Sequence, residues 1–353
     1  MRCTVLIMAG GTGGHIFPGL AVAEALRAAG CEVVWLGARG GMEERLVPPH
    51  GIRAAWIRAR ALRGRRLLGQ LLFPFGLLVA FWQSARAIFA LRPDVVLGLG
   101  GYVAFPGGMM ASLLARPLAV HEQNAVPGLA NRVLSALADR VMVGFPGALK
   151  NGEWTGNPVR DAIVALPAPE TRFVARSGPL RVLVLGGSLG AQALNETLPR
   201  ALALIPPVRR PGVVHQSGER HLEALREAYA AAGVEGELVA FIEDMAHRYA
   251  EADLVICRAG ALTVAELAAA GVAAVLVPYP HAVDDHQTAN ARFLVEQDAA
   301  VLIAQGEFTP QRLAGVIEGF DRPRLLGMAQ RARALGKPGA AATVAARCME
   351  LAA

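Results

Sequence analysis

The sequence predicts an α/β protein made of two similar domains, each with a parallel β-sheet flanked by helices. Short apolar runs alternate with helical patterns along all 353 residues, which is typical of parallel sheets covered on both faces. Two segments, VLIMAGGTGGHIFPGLAVAEAL near the start and VLVLGGSLGAQALNETLPRAL from Val182, share the plan of strand, glycine turn and helix. In a second pair, PDVVLGLGGYVAFPGG and ADLVICRAGALTVAEL, an apolar strand opens into a glycine-bearing loop.

The first glycine turn lies between a buried strand, predicted over Val5 to Met8, and an amphipathic helix, predicted over Leu20 to Ala29 and closed by Gly30. Its sequence is AGGTGGHIFPG. Glycine adopts positive φ and has no Cβ, so backbone N–H groups and a helix N-terminus can approach an anion closely at such a corner. The corner therefore predicts phosphate binding.

Six further segments predict strands: CEVVWLG, RPLAVHEQ, DRVMVGF, GVVHQSG, ELVAFIED and AAVLVPYP. We expect the domain boundary within TGNPVR, where Pro158 stops the preceding element. The predicted domains are residues 1–159 and 160–336, followed by a closing helix over 337–353 after Lys337-Pro338-Gly339. A ligand is expected in the cleft between the two domains, at the carboxyl ends of the strands.

The composition, 54% hydrophobic and 18% charged, is that of a globular protein. Its four cysteines are scattered, without C-x-x-C spacing or a preceding secretory signal, which predicts a reducing cytoplasmic compartment and neither disulfides nor a zinc site. None of the eight histidines has a metal-binding spacing such as H-E-x-x-H. The residues therefore demand no metal.

Positive charge is concentrated in the first half: residues 1–159 hold 16 Lys and Arg against 8 Asp and Glu, and residues 160–353 hold 19 against 21. The densest basic cluster precedes an uncharged segment, Leu67 to Trp82, which is shorter than the roughly 20 residues that a bilayer span needs. The cluster consists of Arg58, Arg60, Arg63, Arg65 and Arg66, and the aromatic residues are Phe73, Phe75, Phe81 and Trp82.

Two interpretations of this region stay open. The segment either dips into the headgroup region of an anionic membrane, or forms a buried helix beside a solvated arginine loop. Nucleic acid is a disfavoured partner, since no interleaving of basic and aromatic residues accompanies the cluster.

Two common nucleotide-binding motifs do not match. A dinucleotide oxidoreductase needs G-x-G-x-x-G and an acidic residue at the end of the second strand, whereas the first corner reads GGTGGH and the strand VVWLG ends at Gly37. A P-loop needs G-K-[ST], and neither glycine corner contains lysine. Two glycine corners on two similar domains instead suit a nucleotide-linked donor and a second molecule that can also be phosphorylated.

Seven motifs, in order and spanning nearly the whole chain, resemble the MurG family, glycosyltransferase family 28. They are GGTGGH (10–15), GGYV (100–103), HEQN (121–124), GNPVR (156–160), GGSLGA (186–191), CRAGALTVAE (257–266) and DDHQTAN (284–290). The resemblance implies transfer of N-acetylglucosamine from UDP-N-acetylglucosamine to an undecaprenyl-linked muramyl-pentapeptide, in peptidoglycan synthesis and hence in cell shape and division. It further implies a GT-B fold with two Rossmann-like domains facing across a cleft, inversion without cofactor or obligatory metal, attachment to the cytoplasmic face of the inner membrane, and a closing helix that crosses back to the first domain.

The resemblance also implies a donor site in the second domain. Ser188 and the amides of GGSLGA would hold the UDP diphosphate at a helix N-terminus, with Arg160 adding positive charge. Arg160 could instead form an ion pair between the domains, and Ser188 could be a plain helix N-cap. Glu266 would bind ribose hydroxyls, although T-x-x-E also fits a capping box. The remaining donor contacts are Ile242 through its backbone to uracil, Gln287 to the sugar, and Ala261, Leu262, Thr263, Val264 and Ala265 lining the nucleotide.

In the first domain the resemblance implies that Thr12, Gly13 and Gly14 hold the acceptor pyrophosphate and that Asn124 reaches acetylglucosamine or the acceptor. His15 would take the proton from the muramyl 4-hydroxyl, for which an ordinary pKa near 6.5 is suitable, or would only bind a substrate oxygen. His121 and Glu122 are alternatively structural polar groups after a buried strand.

One departure from the family pattern is Ala104-Phe105, where a small hydroxyl residue and glycine are common. Because phenylalanine does not adopt positive φ readily, we expect a differently shaped acceptor loop. Two other functions stay open: another GT-B UDP-sugar enzyme, such as a glycolipid synthase or an epimerase, and a non-catalytic nucleotide sensor at a membrane.

Overall fold

The structure, a computed structural model, describes residues 3–59, 73–174, 176–187 and 190–353. The chain divides into two compact units, Met1–Val159 with Pro338–Ala353, and Arg160–Lys337. Each unit contains a wholly parallel sheet. The predicted class, two α/β domains with parallel sheets, is confirmed.

The first unit has a seven-stranded sheet in the order β3-β2-β1-β4-β5-β6-β7. Its central strand β1 lies between β2 and β4, so that Ile7 pairs with Trp35 on one side and Leu97 on the other. The strands are β1 (Thr4–Ala9), β2 (Glu32–Ala38), β3 (Arg53–Ile57), β4 (Val95–Gly100), β5 (Leu118–Glu122), β6 (Arg140–Val143) and β7 (Glu153–Trp154).

Helices cover both faces of this sheet. They are α1 (Gly13–Ala28), α2 (Glu43–Leu46), α3 (Phe73–Leu91), α4 (Ala104–Leu113), α5 (Leu129–Leu134) and, from the end of the chain, α15 (Ala340–Ala352). One core cluster joins β1 to α1 and α15, where Val344, Ala345 and Cys348 are buried. A second cluster joins the other face of the sheet to α3 and α4.

The start of α1 corrects the prediction. The helix begins at Gly13, not Leu20, with Thr12 as an extended N-cap, and it continues through Pro18. It extends this far because Ile16 is fully buried with the rest of the apolar face. Gly19 is needed inside the helix, since a Cβ there would lie 2.6 Å from Cη2 of Trp35.

The second unit repeats the same strand order in six strands, β10-β9-β8-β11-β12-β13. The repeated segments of the sequence therefore occupy equivalent places: β1 corresponds to β8, and β4 to β11. The strands are β8 (Arg181–Leu185), β9 (Gly212–Gln216), β10 (Glu237–Val239), β11 (Leu254–Cys257), β12 (Ala273–Leu276) and β13 (Ala300–Leu302).

The helices of the second unit surround one large core cluster that contains Val184, Leu198, Ile256 and Leu313. They are α6 (Asp161–Val164), α7 (Pro169–Phe173), α8 (Gln192–Leu204), α9 (Leu222–Ala232), α10 (Met245–Glu251), α11 (Ala261–Ala270), α12 (His286–Val295), α13 (Pro310–Glu318) and α14 (Arg322–Leu335). Short 3₁₀ turns of this unit lie at Pro207–Arg209, Glu219–His221, Val283–Asp285 and Gln305–Glu307, and one of the first unit lies at Pro48–His50.

Helix α3 carries an exposed apolar face. Within the described ranges, Pro74–Leu91 is the one helical segment long and apolar enough to cross a membrane by length and composition, and 17% of it is buried. Ala80, Ser84 and Ile88 face the core, whereas Phe75, Leu78, Trp82 and Phe89 are each more than 60% exposed. A wholly buried helix is therefore the wrong interpretation. Arg60, Arg63, Arg65, Arg66 and Leu67 to Leu72 lie outside the described residues.

Candidate functional sites of the two units

In each sheet the chain reverses its direction of strand addition between the first and fourth strands of the unit. These neighbours are β8 and β11 in the second unit, and β1 and β4 in the first. Loops after such a pair diverge to opposite faces of the sheet, which opens a crevice at the carboxyl ends of the strands. The glycine turns follow these strands, so they lie where ligands commonly bind parallel sheets.

The glycine turn after β8 packs closely against the end of β9. The N–H of Gly186 donates to the carbonyl of Gln216 at 3.1 Å. Gly190 has φ of +78°, and a Cβ there would lie 2.5 Å from the carbonyl oxygen of Ser217. Helix α8 then begins with Ala191 as its N-cap and no side-chain cap. Ser188 and Leu189 lie outside the described residues, so the role predicted for Ser188 stays a prediction.

Helix α11 follows β11 and also begins without a side-chain cap, because its N-cap is Gly260 in extended conformation. Ala261, Leu262 and Thr263 form its first turn, whose N–H groups lack intrahelical acceptors. The capping-box alternative is wrong: Thr263 is the third helical residue and not the N-cap, and Glu266 lies in the second turn. Val264 is fully buried in the core.

Glu266 is held by two donors within the second unit. Nη2 of Arg160 donates to Oε1 at 2.9 Å, and the hydroxyl of Tyr249 donates to Oε2 at 3.1 Å. Burial raises the pKa of Glu266, and the positive charge of Arg160 opposes that rise. The side chain of Arg160 is 48% exposed, against 16% for Glu266. The predicted alternative of an ion pair between domains is wrong, since the partner of Arg160 belongs to the same unit.

Tyr249 was missed by sequence reasoning, because no local pattern marks it as facing α11, although α10 ends only a few residues before the motif CRAGALTVAE. Its buried phenol has a pKa well above the usual range, owing to burial and to the neighbouring Glu266, and therefore stays a proton donor. A carboxylate has about four acceptor sites. Glu266 can thus keep the Tyr249 bond and still accept further hydrogen bonds.

Gln287 and Asn290 both lie on α12 but hydrogen-bond to different segments. Oε1 of Gln287 accepts from the N–H of Tyr279 at 2.9 Å, in the segment after β12. Asn290 is fully buried and donates from Nδ2 to the carbonyl of Ala259, which places α12 against the loop before α11. Asn290 therefore stabilises the packing of α12 against that loop. Ile242 follows β10 and is 6% exposed.

Arg258 is a second residue that the sequence did not single out. Its guanidinium donates to the carbonyls of Val277 and Pro278, and to Oε1 of Gln305 at 2.6 Å. It therefore ties the loop after β11 to the ends of β12 and β13. The sequence did contain a signal for Arg258, because it is the one charged residue among the small and apolar residues at the start of CRAGALTVAE.

In the first unit the glycine turn after β1 holds His15 at the first turn of α1. Nδ1 of His15 lies 3.2 Å from the carbonyl oxygen of Gly10 and 3.3 Å from Oγ1 of Thr12. The ring sits against Gly100, where a Cβ would lie 2.9 Å from Nε2. Gly13 and Gly14 belong to the same helical turn, so four of the predicted residues come together here.

Asn124 is placed next to the buried end of β5. Its backbone N–H and Nδ2 donate to Oε1 of Glu122 at 2.8 and 3.3 Å, and Asn131 donates to Oε2. His121 is fully buried, with Nε2 donating to the carbonyl of Gly156, and burial lowers its pKa to about 4. These contacts support the structural interpretation of His121 and Glu122.

Glu43 is a buried carboxylate that sequence reasoning missed. It accepts from the N–H of Ala38 at 3.0 Å and from the N–H of Gly11 at 3.1 Å, and it is fully buried. A Cβ at Gly10 would collide with its Oε1. The strand β2 itself ends without an acidic residue, but Glu43 on α2 places its carboxylate against the end of that strand, at Ala38. The signal was an acidic residue shortly after a glycine-rich turn.

Ala104 and Phe105 lie in α4 and not in the loop, so the reason for expecting a differently shaped acceptor loop, a positive φ at Phe105, does not apply. The positive φ values belong to Gly100 and Gly101, at +109° and +81°. Ala104 opens α4 directly, and Phe105 packs edge-to-face on Phe81 with ring centroids 5.9 Å apart. Because Phe105 is helical, it does not need the positive φ that a phenylalanine adopts with difficulty.

Across the described residues, no group of three or more His, Cys, Asp or Glu side chains is arranged to hold a metal ion.

Comparison with known proteins matches both halves to one family. Residues 5–143 match the glycosyltransferase family 28 N-terminal domain, and residues 181–344 the glycosyltransferase family 28 C-terminal domain. A protein of Azoarcus sp. named UDP-N-acetylglucosamine--N-acetylmuramyl-(pentapeptide) pyrophosphoryl-undecaprenol N-acetylglucosamine transferase is 63% identical over 99% of this chain and 98% of its own. A Nitrosospira multiformis protein of the same name is 61% identical over 99% of both.

Among solved structures, the crystal structure of Acinetobacter baumannii MurG matches with a TM-score of 0.88 and 43% identity, over 99% of this chain and all of that one. The predicted GT-B fold is confirmed.

Proposed function

This chain belongs to glycosyltransferase family 28, and on that premise we propose that it transfers N-acetylglucosamine from UDP-N-acetylglucosamine to the 4-hydroxyl of the muramyl residue of undecaprenyl-pyrophosphoryl-muramyl-pentapeptide. The observation that carries the proposal is identity of 63% over nearly the full length with a transferase of that name. The product is the lipid-linked disaccharide precursor of peptidoglycan, so the reaction serves cell shape and division.

The second unit binds the donor. The amides at the glycine turn after β8 and the first turn of α11 surround the diphosphate with positive ends of peptide dipoles, which favour negative charge. Glu266 accepts from ribose hydroxyls while Tyr249 keeps its carboxylate in place. The other donor contacts are the backbone of Ile242 to uracil, Gln287 to the sugar, Ser188 to the diphosphate, and Val264 and Ala265 in the lining of α11.

Arg160 has two partners in succession. It pairs with Glu266, and its half-exposed guanidinium can turn to the diphosphate when the nucleotide binds. As the bond between the anomeric carbon and the phosphate oxygen breaks, negative charge grows on UDP. A guanidinium and helix N-termini aimed at that charge lower the barrier more than they strengthen donor binding.

The first unit binds the acceptor and provides the base. Thr12, Gly13 and Gly14 present the N-terminus of α1 to the acceptor pyrophosphate, and Asn124 hydrogen-bonds to a sugar. His15 takes the proton from the 4-hydroxyl as its oxygen attacks the anomeric carbon. The electron pair of the broken bond leaves with UDP, and the α-linked donor becomes a β-linked product. Direct displacement needs no covalent intermediate on the protein.

The exposed face of α3 attaches the protein to the cytoplasmic face of the inner membrane, where its lipid-linked acceptor lies. Phe75, Leu78, Trp82 and Phe89 project from this face, and Arg86 is exposed beside Trp82 with its guanidinium 5.8 Å from the ring. Aromatic and aliphatic side chains suit the headgroup boundary, and a basic neighbour suits anionic lipid. The attachment is peripheral.

Acceptor-dependent release of UDP tests the proposal. The purified chain is incubated with UDP-N-acetylglucosamine, with and without the muramyl-lipid acceptor, and UDP and the disaccharide lipid are quantified. We expect both products only with acceptor. UDP release that does not depend on the acceptor, or none at all, would reject the transfer.

A further inference from the structure

One peptide group links a buried carboxylate to the proposed base. The carbonyl oxygen of Gly10 lies 3.2 Å from Nδ1 of His15, and the N–H of Gly11 donates to Oε2 of Glu43 at 3.1 Å. These two atoms belong to the same peptide bond, because the carbonyl of one residue and the N–H of the next form one planar amide. Glu43, the Gly10–Gly11 peptide and His15 thus form one hydrogen-bonded chain.

We propose that Glu43 is a positioning residue for His15, which it holds through this peptide with the ring proton on Nδ1 and the lone pair on Nε2. The inference rests on the proposed role of His15 as the base. With this tautomer, Nε2 is the nitrogen that accepts the proton of the 4-hydroxyl. Glu43 itself touches neither substrate.

Two contacts at Nδ1 favour opposite tautomers. A carbonyl oxygen only accepts hydrogen bonds, so the contact with Gly10 requires a proton on Nδ1. Oγ1 of Thr12, 3.3 Å from the same nitrogen, could instead donate to an unprotonated Nδ1, and the proton would then sit on Nε2. Strengthening the first hydrogen bond therefore favours the tautomer with the proton on Nδ1.

The carboxylate favours the first arrangement. A peptide whose N–H donates to a charged acceptor is polarised, and its carbonyl oxygen becomes a better acceptor in turn. Glu43 is fully buried, so little water screens this effect. The aromatic ring of Tyr102 packs against Gly11, where a Cβ would lie 3.0 Å from Cε1. Burial and the negative charge of Glu43 both raise the pKa of that phenol.

The backbone around Glu43 is built to admit it. Its second oxygen accepts from the N–H of Ala38 at the end of β2, so the carboxylate is held at both ends. A Cβ at Gly10, Gly37 or Gly41 would lie within 2.8 Å of the Glu43 side chain. The side chain of Glu43 therefore fits only because these three residues have no Cβ. This close packing fixes the position of its carboxylate, as a positioning role requires.

Nitrogen NMR of the intact chain tests the proposal directly. With ¹⁵N-labelled histidine and assignment by the His15→Gln variant, we expect the wild-type ring of His15 to carry its proton on Nδ1 in the neutral form. In Glu43→Gln the Nδ1–H fraction should fall, and kcat should drop on the order of ten-fold with the KM for UDP-N-acetylglucosamine unchanged. A purely structural role would not move the tautomer.

The matched control is Glu44→Gln. Glu44 is the next residue on α2, is exposed, and accepts from the N–H of Gly40 at 2.7 Å, so Glu44→Gln removes the charge from a neighbouring backbone hydrogen bond without touching the Gly10–Gly11 peptide. It should leave both the tautomer and kcat unchanged.

The outcomes separate the two proposals. A wild-type His15 with its proton on Nε2, or a folded Glu43→Gln variant with the wild-type tautomer, would overturn the role of Glu43. The wild-type spectrum alone tests that role even if the variant does not fold. Absence of acceptor-dependent UDP release from the wild-type chain would instead overturn the transfer reaction, whatever the tautomer.

Discussion

Arg160 and Glu266 form an ion pair of 2.9 Å between the residue that opens the second unit and the second turn of α11. Both were predicted to contact the donor nucleotide, one at the diphosphate and the other at the ribose. In this pair the guanidinium offsets the burial of the carboxylate, whose pKa burial raises. In the function proposed above, UDP competes with Glu266 for Arg160, and Tyr249 keeps its hydrogen bond to Glu266.

The first prediction concerns Glu266. Glu266→Gln keeps the shape of the side chain and the bond from Tyr249 but removes the charge, so ribose binding should weaken. We expect the Kd for UDP, measured by calorimetry, to rise on the order of ten-fold.

Glu318→Gln is the control for this variant, since Glu318 forms an exposed ion pair with Arg209 elsewhere in the second unit. It should leave the Kd unchanged. An unaltered Kd in Glu266→Gln, together with a lower Tm, would show that Glu266 serves only the fold.

The second prediction concerns His15. His15→Gln removes the base but leaves a polar side chain, so turnover should fall on the order of a hundred-fold while the Kd for UDP stays the same. Steady-state assays with both substrates provide the measurement. His50→Gln removes an exposed histidine of the same unit that pairs with Glu24, and it should have no effect. Unchanged turnover in His15→Gln would remove His15 from catalysis.

The third prediction concerns the exposed face of α3. Replacing Phe75, Trp82 and Phe89 together by serine should weaken binding to vesicles that contain anionic lipid by about ten-fold or more, because each side chain loses apolar contact area. Vesicle sedimentation measures the binding, and circular dichroism verifies the fold.

Leu204→Ser with Val208→Ser is the control, since these apolar side chains are 51% and 90% exposed in the second unit. That pair should bind vesicles like the wild type. If the α3 variant folds and sediments as well as its parent, the membrane surface lies elsewhere.

The fourth prediction concerns pH and His121. The pKa of this buried imidazole is about 4 in the folded chain, against an ordinary 6.5. Between these values the unfolded chain binds more protons, so the stability contributed by neutral His121 is complete above pH 6.5 and is lost as pH falls to 4. The loss amounts to about 3 kcal/mol of unfolding free energy at most.

Urea unfolding of the wild type and of His121→Gln at pH 7.5, 5.5 and 4.5 isolates this contribution. The difference between the two chains should shrink as the pH falls. His247→Gln, at an exposed histidine paired with Glu251, should follow the wild type. A parallel pH dependence in His121→Gln would contradict the assignment.

The parallel-sheet class was predictable because strands buried on both faces are continuous apolar runs, as in Val5 to Met8 and Val182 to Leu185. Three strands were not predicted: β3 contains Arg53 and two alanines, β7 has two residues, and β13 has three. Short edge strands of mixed composition take their conformation from the neighbour that they pair with, so no local pattern marks them.

Site residues were predictable where a motif has its own backbone signature, as the glycine turns do. Their roles toward substrates stay predictions. Local patterns also misled: T-x-x-E at Thr263 fits a capping box, but Gly260 begins the helix. Glu43 and Tyr249 lie outside the seven motifs, and Arg258 lies inside CRAGALTVAE without a pattern that distinguishes it; each contacts a partner that only the tertiary structure brings near.

The sequence by itself determined two repeated strand–turn–helix units and the glycine turns at which each can bind an anion, since burial period and backbone freedom are local properties. Only the tertiary structure decided which side chains meet there. The strand order brings β1 beside β4 and β8 beside β11, although about 90 and 70 residues separate them. Glu43 reaches Gly11, and Tyr249 reaches Glu266, because packing closes those distances, and no periodicity along the chain encodes them.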